Sequence, residues 1–377
     1  MALNWKLPLI LILCFGCLVP CAGQEQPGIV RRVLSRILDP SSQLDSAYVY
    51  QPRPRWNISF SNLLRRTGVY QTNEFEVAGD PVSLRSSLQE RLYKGIGVHA
   101  GYGPLTLGFS REVGRKSAEH NRSNSFAFSL AGVGINADYY DIRQPMSYEL
   151  VTGYPGSPRF EESGGVSAYP GRMRILSVTA FYALNRRTFL YSSVYSGQKI
   201  QRRAAGSWVI SGKYLQGEVK ANPKEELSDL VYGLARHATA QASVGAGYSY
   251  NFVPFHRQPG PESDLKGLRN LTINVTAIPM LTFYDRHFAT RYILDPGTGN
   301  YTSQEAHPLN STLRFNYFSQ VGVSFSWDRF YLSLAGNYDI FSFKGTTKIP
   351  GSTAVMDIKT AGHFSKWSTT LKFSVKF

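Results

Sequence analysis

ATAQASVGAGYSYNF, residues 238–252, alternates between two kinds of side chain over its full length. One set holds alanines, Val244 and three aromatic residues, and the other holds glycines and small polar residues. A period of two is typical of a strand whose two faces meet different surroundings. Soluble strands average about 5–6 residues, whereas a tilted strand needs about 9–11 residues to cross a bilayer. The length of this stretch therefore favours a membrane barrel over a soluble sheet.

The same alternation recurs along the chain, for example at 313–327 and, after a turn at 328–329, at 330–340. We count about twelve such segments, an even number as in single-chain bacterial barrels, and ten or fourteen also fit. The sequence thus predicts an all-β fold, a transmembrane antiparallel up-and-down β-barrel of about 12 strands with a short N-terminal helix. Long outside loops are predicted at 141–171, 220–236, 285–310 and 344–363.

Residues 1–23 have the composition of a secretory signal peptide, with a lysine, an apolar run over 7–19 and small residues at the expected cleavage site. The three cysteines lie in this segment, so we expect the mature chain to have no disulfide, no Cys-bound metal and no thiol nucleophile. An N-terminal membrane anchor is one alternative, although the run is short of the ~20 residues that a spanning helix needs. A lipoprotein with Cys17 or Cys21 lipidated is the other alternative.

Residues 24–55 are predicted to form a periplasmic segment, and residues 56–377 the outer-membrane β-barrel. Within the first segment, residues 29–38 place apolar side chains at helical spacing with arginines opposite. Such a short amphipathic helix either caps the barrel mouth or lies on anionic lipid. A second helix is predicted at 222–234, where Asn222 can cap its first turn.

The formal net charge of +15 indicates acidic partners. The predicted secretory signal argues against nucleic acid. Outer-membrane lipid, lipopolysaccharide and small anionic solutes are the partners that fit, and the expected location is the outer membrane of a Gram-negative cell.

The chain ends in TTLKFSVKF, again in strict alternation. A terminal strand with alternating apolar residues and a final aromatic resembles the signal that the barrel assembly machinery recognises during biogenesis. The matching residues are Leu371, Phe373, Val375 and Phe377. In a barrel, this strand would pair with the first strand and leave no exposed edge.

Three stretches resemble a family of outer-membrane proteins of Bacteroidota, the domain of unknown function 4421. They are DSAYVYQPRPRWNISFSN (45–62), QKIQRRAAGSWVISGKY (198–214) and GAGYSYNFVP (245–254). The resemblance covers roughly residues 45 to 377 as one colinear domain. It implies a barrel and a location, and it implies no activity.

No motif in the chain identifies a catalytic, cofactor-binding or metal site, and we expect no cofactor. The seven histidines have no metal-ligand spacing. Asp285-Arg286-His287 and His363-x-Ser365 fall where strands meet the predicted outside loops, and either could activate a hydroxyl or water. We predict that the protein is not an enzyme, with an outer-membrane hydrolase or acyl-transfer enzyme as the alternative.

One basic cluster brackets the connection FLYSSVYSG and could line the lumen with positive charge. Its members are Arg186, Arg187, Lys199, Arg202 and Arg203. The leading functional prediction is passive or facilitated passage of small solutes, anionic ones included. The alternatives are a closed barrel with a structural or envelope-binding role and an enzyme at the rim acting on lipid or lipopolysaccharide. A lumen plugged by residues 24–50 or 187–203 favours the closed barrel, and an Asp/His or Ser/His pair within hydrogen-bond reach at the outer rim favours the enzyme.

Overall fold

The computed structural model describes residues 44–51, 56–77, 79–102, 105–113, 122–130, 133–197, 199–222, 234–258, 265–295, 297–311, 314–350 and 355–377. The predicted signal peptide and the helix at 29–38 lie outside these residues, as does nearly all of the helix predicted at 222–234. No helix in the described ranges is long and apolar enough to cross a membrane.

Nearly all regular structure in the described residues is strand. The strands are β1 (Val49–Tyr50), β2 (Trp56–Val77), β3 (Asp80–Gln89), β4 (Tyr93–Tyr102), β5 (Leu105–Glu112), β6 (Arg122–Leu130), β7 (Val133–Gln144), β8 (Met146–Thr152), β9 (Glu161–Val166), β10 (Gly171–Ala183), β11 (Ile200–Gln201), β12 (Ala205–Lys220), β13 (Leu234–Arg257), β14 (Arg269–Asp295), β15 (Asn300–Ser311), β16 (Arg314–Trp327), β17 (Phe330–Pro350) and β18 (Val355–Lys376). A short 3-10 helix covers Tyr191–Val194.

The strands form an antiparallel sheet of 16 within the described residues, and β1 pairs separately with β11. The sheet therefore has more strands than the twelve predicted. Three of the extra strands, β8, β9 and β15, lie in ranges predicted as outside loops, and the fourth arises because one predicted strand is divided into β6 and β7.

A path that follows the strand pairings from β2 leads back to β2. It leads from β2 through β4, β5, β6, β7, β10, β12, β13, β14, β16, β17 and β18. The last of these strands, β18, pairs again with β2. We call the end at which β2 begins and β18 finishes the terminal end, and the other the opposite end.

The two faces of the sheet reverse the pattern of a soluble protein. In β13 the polar residues Ser243, Ser249 and Asn251 are at most 1% exposed, whereas Val244 and Tyr248 are 45% and 47% exposed. The same alternation marks β16, whose buried positions are mainly polar and whose exposed positions are apolar, while in β12 the exposed positions are mainly apolar and the buried ones mix polar and apolar residues. The large apolar side chains exposed by the sheet include Trp56, Phe60, Trp208, Phe283, Phe315 and Trp367.

Three of the predicted outside loops are strands instead. The range 141–171 contains β8 and β9, the range 285–310 contains the end of β14 and most of β15, and 344–363 contains the adjoining ends of β17 and β18. These ranges are rich in glycine, proline and asparagine, so their sequences were mistaken for loops.

Candidate functional site

The described residues of the connection between β10 and β12, 184–197 and 199–204, fold into the interior of the sheet, and we call them the inner segment. Tyr191 donates its hydroxyl to Gln320 Oε1 at 2.6 Å, and Tyr195 donates to Asn274 Oδ1 at 2.5 Å. The acceptor residues, Gln320 on β16 and Asn274 on β14, are both buried. Two tyrosines thus tie the segment to strands distant from it in sequence.

Four further strands hold the backbone of the inner segment through its carbonyl groups. The donors are Asn57 of β2, Asn251 of β13, Tyr331 of β17 and Lys372 of β18, and the distances run from 2.8 to 3.3 Å. Gly197 has φ +66°, and an added Cβ would meet the ring of Tyr331 at 2.7 Å. Together with the tyrosine contacts, these bonds join the segment to six strands at the terminal half of the interior.

The first residues that the structure describes, 44–51, form hydrogen bonds with the inner segment. Strand β1 pairs with β11, and the amide of Arg202 donates to Tyr48 O at 2.7 Å. The side chain of Gln201, which is 0% exposed, donates to Thr188 O at 2.6 Å and to Arg203 O at 3.0 Å. Gln201 was not among the predicted site residues, because one glutamine in a basic loop gives no sequence signal of burial.

The predicted basic cluster lies on the inner segment, but not on the parts that contact the strands. Arg187 and Arg203 are exposed, and Arg186, Lys199 and Arg202 are half-buried. Arg202 donates to Ser46 O at 2.5 Å, and the guanidinium of Arg203 lies 6.0 Å from the centroid of the Tyr48 ring. Burial lowers the pKa of Lys199 to about 8. The anion-selecting role of the cluster stays a prediction.

Ion pairs occupy the interior near the middle of the strands. Arg65 donates to both oxygens of Glu90 at 3.1 and 2.7 Å, and its guanidinium lies 4.2 and 4.1 Å from the rings of Tyr93 and Tyr140. Lys366 donates to Asp138 at 2.7 Å. Buried charges that are paired and hydrogen-bonded in this way avoid most of the cost of desolvation.

Lys213 of β12 forms a further ion pair with Asp339 of β17, and both side chains are nearly fully buried. Their strands are not neighbours in the sheet, so this pair spans the interior.

Apolar side chains fill the interior beyond the ion pairs. The cluster consists of Val69, Leu88, Tyr140, Ile142, Met173, Ile175, Leu215, Val219, Phe341, Phe343 and Phe364. These side chains come from seven strands, β2, β3, β7, β10, β12, β17 and β18. Along the strands from the terminal end to the opposite end, the interior holds the hydrogen-bonded inner segment, then the ion pairs and then the apolar cluster.

Asp285 and His287 form an acid–base pair in the half of β14 nearer the opposite end. His287 Nε2 lies within ion-pair distance of Asp285 Oδ1, and the His287 side chain is 1% exposed. The His237 ring stacks on His287 with centroids 5.5 Å apart and planes 9° from parallel. Among the described residues, no group of three or more His, Cys, Asp or Glu side chains is placed to hold a metal ion.

A β-bulge turns this pair inward. Ala242 pairs with Tyr284 but Ser243 pairs with Thr282, so Phe283 is an extra residue in β14. Even-numbered residues such as Thr282 face the interior before the bulge, and odd-numbered residues face it afterwards. Bulges often re-aim side chains next to functional sites. Strict alternation in sequence would have placed Asp285 and His287 on the outer face.

The other predicted acid–base motif has a different environment. His363 is half-buried and stacks on the ring of Tyr70 with centroids 5.0 Å apart. Within the described part of the chain, no hydrogen bond joins it to Ser365. The structure therefore brings together Asp285 and His287 and does not assemble a Ser–His pair at this position.

Several solved structures align with the chain at low identity. The outer membrane protease OmpT from Escherichia coli has a TM-score of 0.38 at 9% identity, over 87% of this chain and 99% of that chain. The translocator domain of the autotransporter NalP from Neisseria meningitidis has a TM-score of 0.28 at 9% identity, over 92% and 94%. The monoaromatic hydrocarbon channel CymD has a TM-score of 0.19 at 12% identity, over 84% and 88%. No curated protein matches the chain.

The prediction that the chain is not an enzyme is wrong and is withdrawn. A structure that aligns with most of the chain is an enzyme, the OmpT protease. The interior also holds Asp285 and His287 within ion-pair distance, although the predicted sign of an enzyme was such a pair at the outer rim. At 9% identity, neither the activity nor the substrate of that protease transfers to this chain.

The family comparison agrees with the sequence resemblance. The profile of the domain of unknown function 4421 matches residues 43–258, more than half of the 377 residues of the chain. The matched range contains all three stretches on which the resemblance was based. The chain belongs to the family of the domain of unknown function 4421.

Proposed function

We propose that the chain is an outer-membrane β-barrel that the inner segment keeps closed at rest. The outward apolar face and the polar interior support a membrane location, since lipid favours apolar side chains outside and water or polar partners inside. The ring of pairings supports a closed barrel, because a sheet edge in lipid would leave backbone groups unsatisfied. The predicted signal peptide and terminal strand agree with export and insertion.

The observation that carries the proposal is the set of hydrogen bonds between the inner segment and six strands. Each such bond contributes about 0.5–1.5 kcal/mol, and breaking one leaves a buried group unsatisfied. Moving the segment out of the interior breaks several bonds together. The open form is therefore a minor state, and the protein is not a constitutively open pore.

Passage of small anionic solutes would then require the segment to move. Lys372 and Lys376 face the interior from β18 and are 7% and 1% exposed. The first donates to Tyr195 O of the inner segment at 3.3 Å. Displacement of the segment would uncover these ammonium groups, and cationic lining residues favour anions.

Permeability of liposomes tests this proposal. The mature chain is refolded into vesicles, and efflux is measured for a series of solutes that differ in size and charge. We expect no passage through the wild-type protein. Replacing residues 186–203 by a short Gly-Ser linker should permit graded passage that favours small anions. A folded linker variant that remains impermeable would contradict the proposal, as would free passage through the wild type.

Two point variants refine the test. Tyr191→Phe/Tyr195→Phe removes the two hydroxyl hydrogen bonds but keeps the rings, and should raise efflux above that of the wild type. Arg187→Gln is the matched control, since this exposed side chain lies on the same segment. A heat-modifiable band on electrophoresis checks that each variant is folded and inserted.

A second candidate function is general acid–base catalysis at Asp285 and His287. A carboxylate beside an imidazole fixes its orientation and stabilises the imidazolium that forms when the imidazole takes a proton. The bulge that points both side chains inward favours this function over a purely structural histidine. Hydrolysis of a panel of peptides, esters and lipids should be lost in Asp285→Asn and kept in His363→Gln. Equal activity in both variants would reject the pair as the catalytic site.

A further inference from the structure

The outward face of the sheet changes its character along the strands. On β17 the outward side chains are mainly apolar from Phe330 to Ile340, and Leu334 among them is 50% exposed. Beyond this range the outward side chains are polar, beginning with Ser342 and Lys344. A strand face with one kind of surroundings would keep one kind of side chain along its length. The surroundings of the outward face of β17 therefore change just beyond Ile340.

The neighbouring strand β18 changes at the same level. Its outward side chains are mainly apolar from Trp367 to Phe377, which are 44% and 59% exposed. The polar side chains of His363 and Lys359 follow on the same face toward the opposite end. Trp367 is the direct cross-strand partner of Tyr338, an outward ring of β17 that is 42% exposed. The two changes thus form one boundary across adjacent strands.

Three further strands show the same change from apolar to polar outward side chains. The apolar ones lie toward the terminal end and include Ile58 and Phe60 of β2, Leu176 and Val178 of β10, and Trp208 and Ile210 of β12. The polar ones lie toward the opposite end and include Arg66 and Glu74 of β2, Arg172 and Arg174 of β10, and Gln216 and Lys220 of β12. Arg66 also pairs with Trp367, so the change on β2 lies at the boundary found on β18.

The inward face changes in the opposite sense at this boundary. On β17 the inward carboxylate of Asp339 is followed by Phe341 and Phe343, which are 4% and 2% exposed. On β18 the inward ammonium of Lys366 is followed by Phe364, which is 3% exposed. An apolar interior beneath a polar outer face is the pattern of a sheet in water. The sheet thus has a membrane pattern on one side of the boundary and a soluble pattern on the other.

The height of the apolar part matches a bilayer. Along an extended strand Phe330 and Ile340 are about 34 Å apart, and a tilt of about 45° reduces this distance to about 24 Å across the membrane. The outward apolar band of outer-membrane barrels is about 25 Å tall. On β18, residues 367–377 span the same number of positions. The apolar surface is therefore as tall as the hydrocarbon that would cover it.

Aromatic rings lie at both limits of this band. At the terminal end, the ring of Trp327 lies 5.6 Å from that of Phe330 and 6.3 Å from that of Phe373, measured between centroids. At the boundary, Tyr338 and Trp367 are cross-strand partners. Tryptophan and tyrosine favour the level where hydrocarbon meets lipid headgroups, because each combines an apolar ring with a polar group. The rings favour lipid, rather than a second protein, as the partner of the band.

We propose that acyl chains cover the outward face only between the two aromatic levels, and that the strands beyond Tyr338 and Trp367 stand in water as an extension of the barrel. The inference rests on the proposed membrane location and adds the position of its outer boundary. On β17 the extension reaches Pro350, about 24 Å beyond the boundary by the same geometry. Its strands are held together by the apolar cluster, which is stabilised by burial from water.

Fluorescent labels at single cysteines test the proposal, because the three native cysteines lie in the predicted signal peptide. The outward series on β17 is Leu334→Cys, Tyr338→Cys, Ser342→Cys and Lys344→Cys. Each labelled protein is refolded into phosphatidylcholine vesicles, with a quencher either attached to the acyl chains or supplied as iodide on both sides. Acyl-chain quenchers should quench the label at Leu334→Cys, and iodide should quench the label at Lys344→Cys. The change should fall between Tyr338→Cys and Ser342→Cys.

A matched pair on β18 checks that the boundary continues across strands. Leu371 is the cross-strand partner of Leu334, so the label at Leu371→Cys should also be quenched from the acyl chains. The label at Lys359→Cys should be quenched by iodide, since this side chain is exposed beyond the boundary. A heat-modifiable band checks that each variant is folded and inserted.

Hydroxyl-radical footprinting of the wild type in vesicles needs no variant. Tyr70 and His363, whose rings stack on the outward face beyond the boundary, should be oxidised, and Leu334 should be protected. Acyl-chain quenching at Lys344→Cys would overturn the proposal, and so would oxidation of Leu334 to the same extent as His363. Labels in the band that are shielded from both quenchers would show a second copy in place of lipid and would also overturn it. Failure of the wild type to insert would instead contradict the proposed function.

Discussion

Lys213 and Asp339 show how single residues bear on the stability of this interior. Both are nearly fully buried, and their ion pair joins β12 to β17. Asp339→Asn should lower the free energy of unfolding by about 3–5 kcal/mol, because it leaves an ammonium group buried without its counter-charge. Urea unfolding of the refolded protein in vesicles measures the change.

Two controls separate this effect from the mere loss of an ion pair. Lys213→Met/Asp339→Leu removes both charges and should cost far less than the single substitution. Asp357→Asn breaks an exposed pair with Lys348, whose atoms are 4.0 Å apart, and should be nearly neutral. If Asp339→Asn is as mild as the exposed substitution, the pair is not buried as described.

Lys199 gives the inner segment a dependence on pH. Burial lowers its folded-state pKa to about 8, below the 10.5 of an ordinary lysine. Between these values the unfolded chain binds more protons than the folded chain, so stability should rise as the pH rises from about 8 to about 10.5. The unfolding midpoint should follow this trend in the wild type, and Lys199→Met should reduce it. An unchanged pH profile in the variant would assign the trend to other groups.

At the scale of elements, alternation predicted the strands well and failed where a β-bulge inserts an extra residue into a strand. It identified β13, β16 and β17, and it separated their outward residues from their inward ones. Alternation did not predict the bulge at Phe283. One extra residue hardly changes the composition of β14, but it reverses the face of the sheet on which Asp285 and His287 lie.

The inner segment was harder to predict for a different reason. Its sequence reads as a basic loop, and its burial depends on partners such as Asn251, Asn274 and Gln320 that are distant in the chain. Each of these partners belongs to the polar set of an alternating strand. The alternation predicts a polar interior, and it leaves both 24–50 and 187–203 as segments that could occupy it.

Gly197 tests whether the inner segment acts as one docked element. Its φ of +66° is unfavourable for other residues, and an added Cβ would press on the Tyr331 ring. Gly197→Ala should loosen the segment, raise solute efflux and speed tryptic cleavage after Arg202 and Arg203. Gly212→Ala is the control, because an added Cβ there meets nothing within 4 Å. Equal cleavage of both variants would show that the segment does not depend on this contact.

For the whole molecule, the two faces of the sheet tolerate different kinds of substituted side chain. Polar inward positions near the terminal end require polar partners, as the network of Ser249, Asn274 and Thr276 shows. Outward positions along the same two strands, β13 and β14, are apolar and exposed, with Val244 45% and Val275 52% exposed. In water this surface would promote aggregation, and in lipid it is the required one.

Val244→Arg distinguishes these environments. Val244 lies near the middle of the outward apolar residues of β13 and is 45% exposed. In a bilayer the arginine should lower the free energy of unfolding by about 2–4 kcal/mol, because the charged group must leave water near the midplane. Unfolding in vesicles measures the loss, and Val244→Leu should leave stability nearly unchanged. If Val244→Arg instead makes the protein more soluble without detergent and no less stable, the apolar face does not contact lipid.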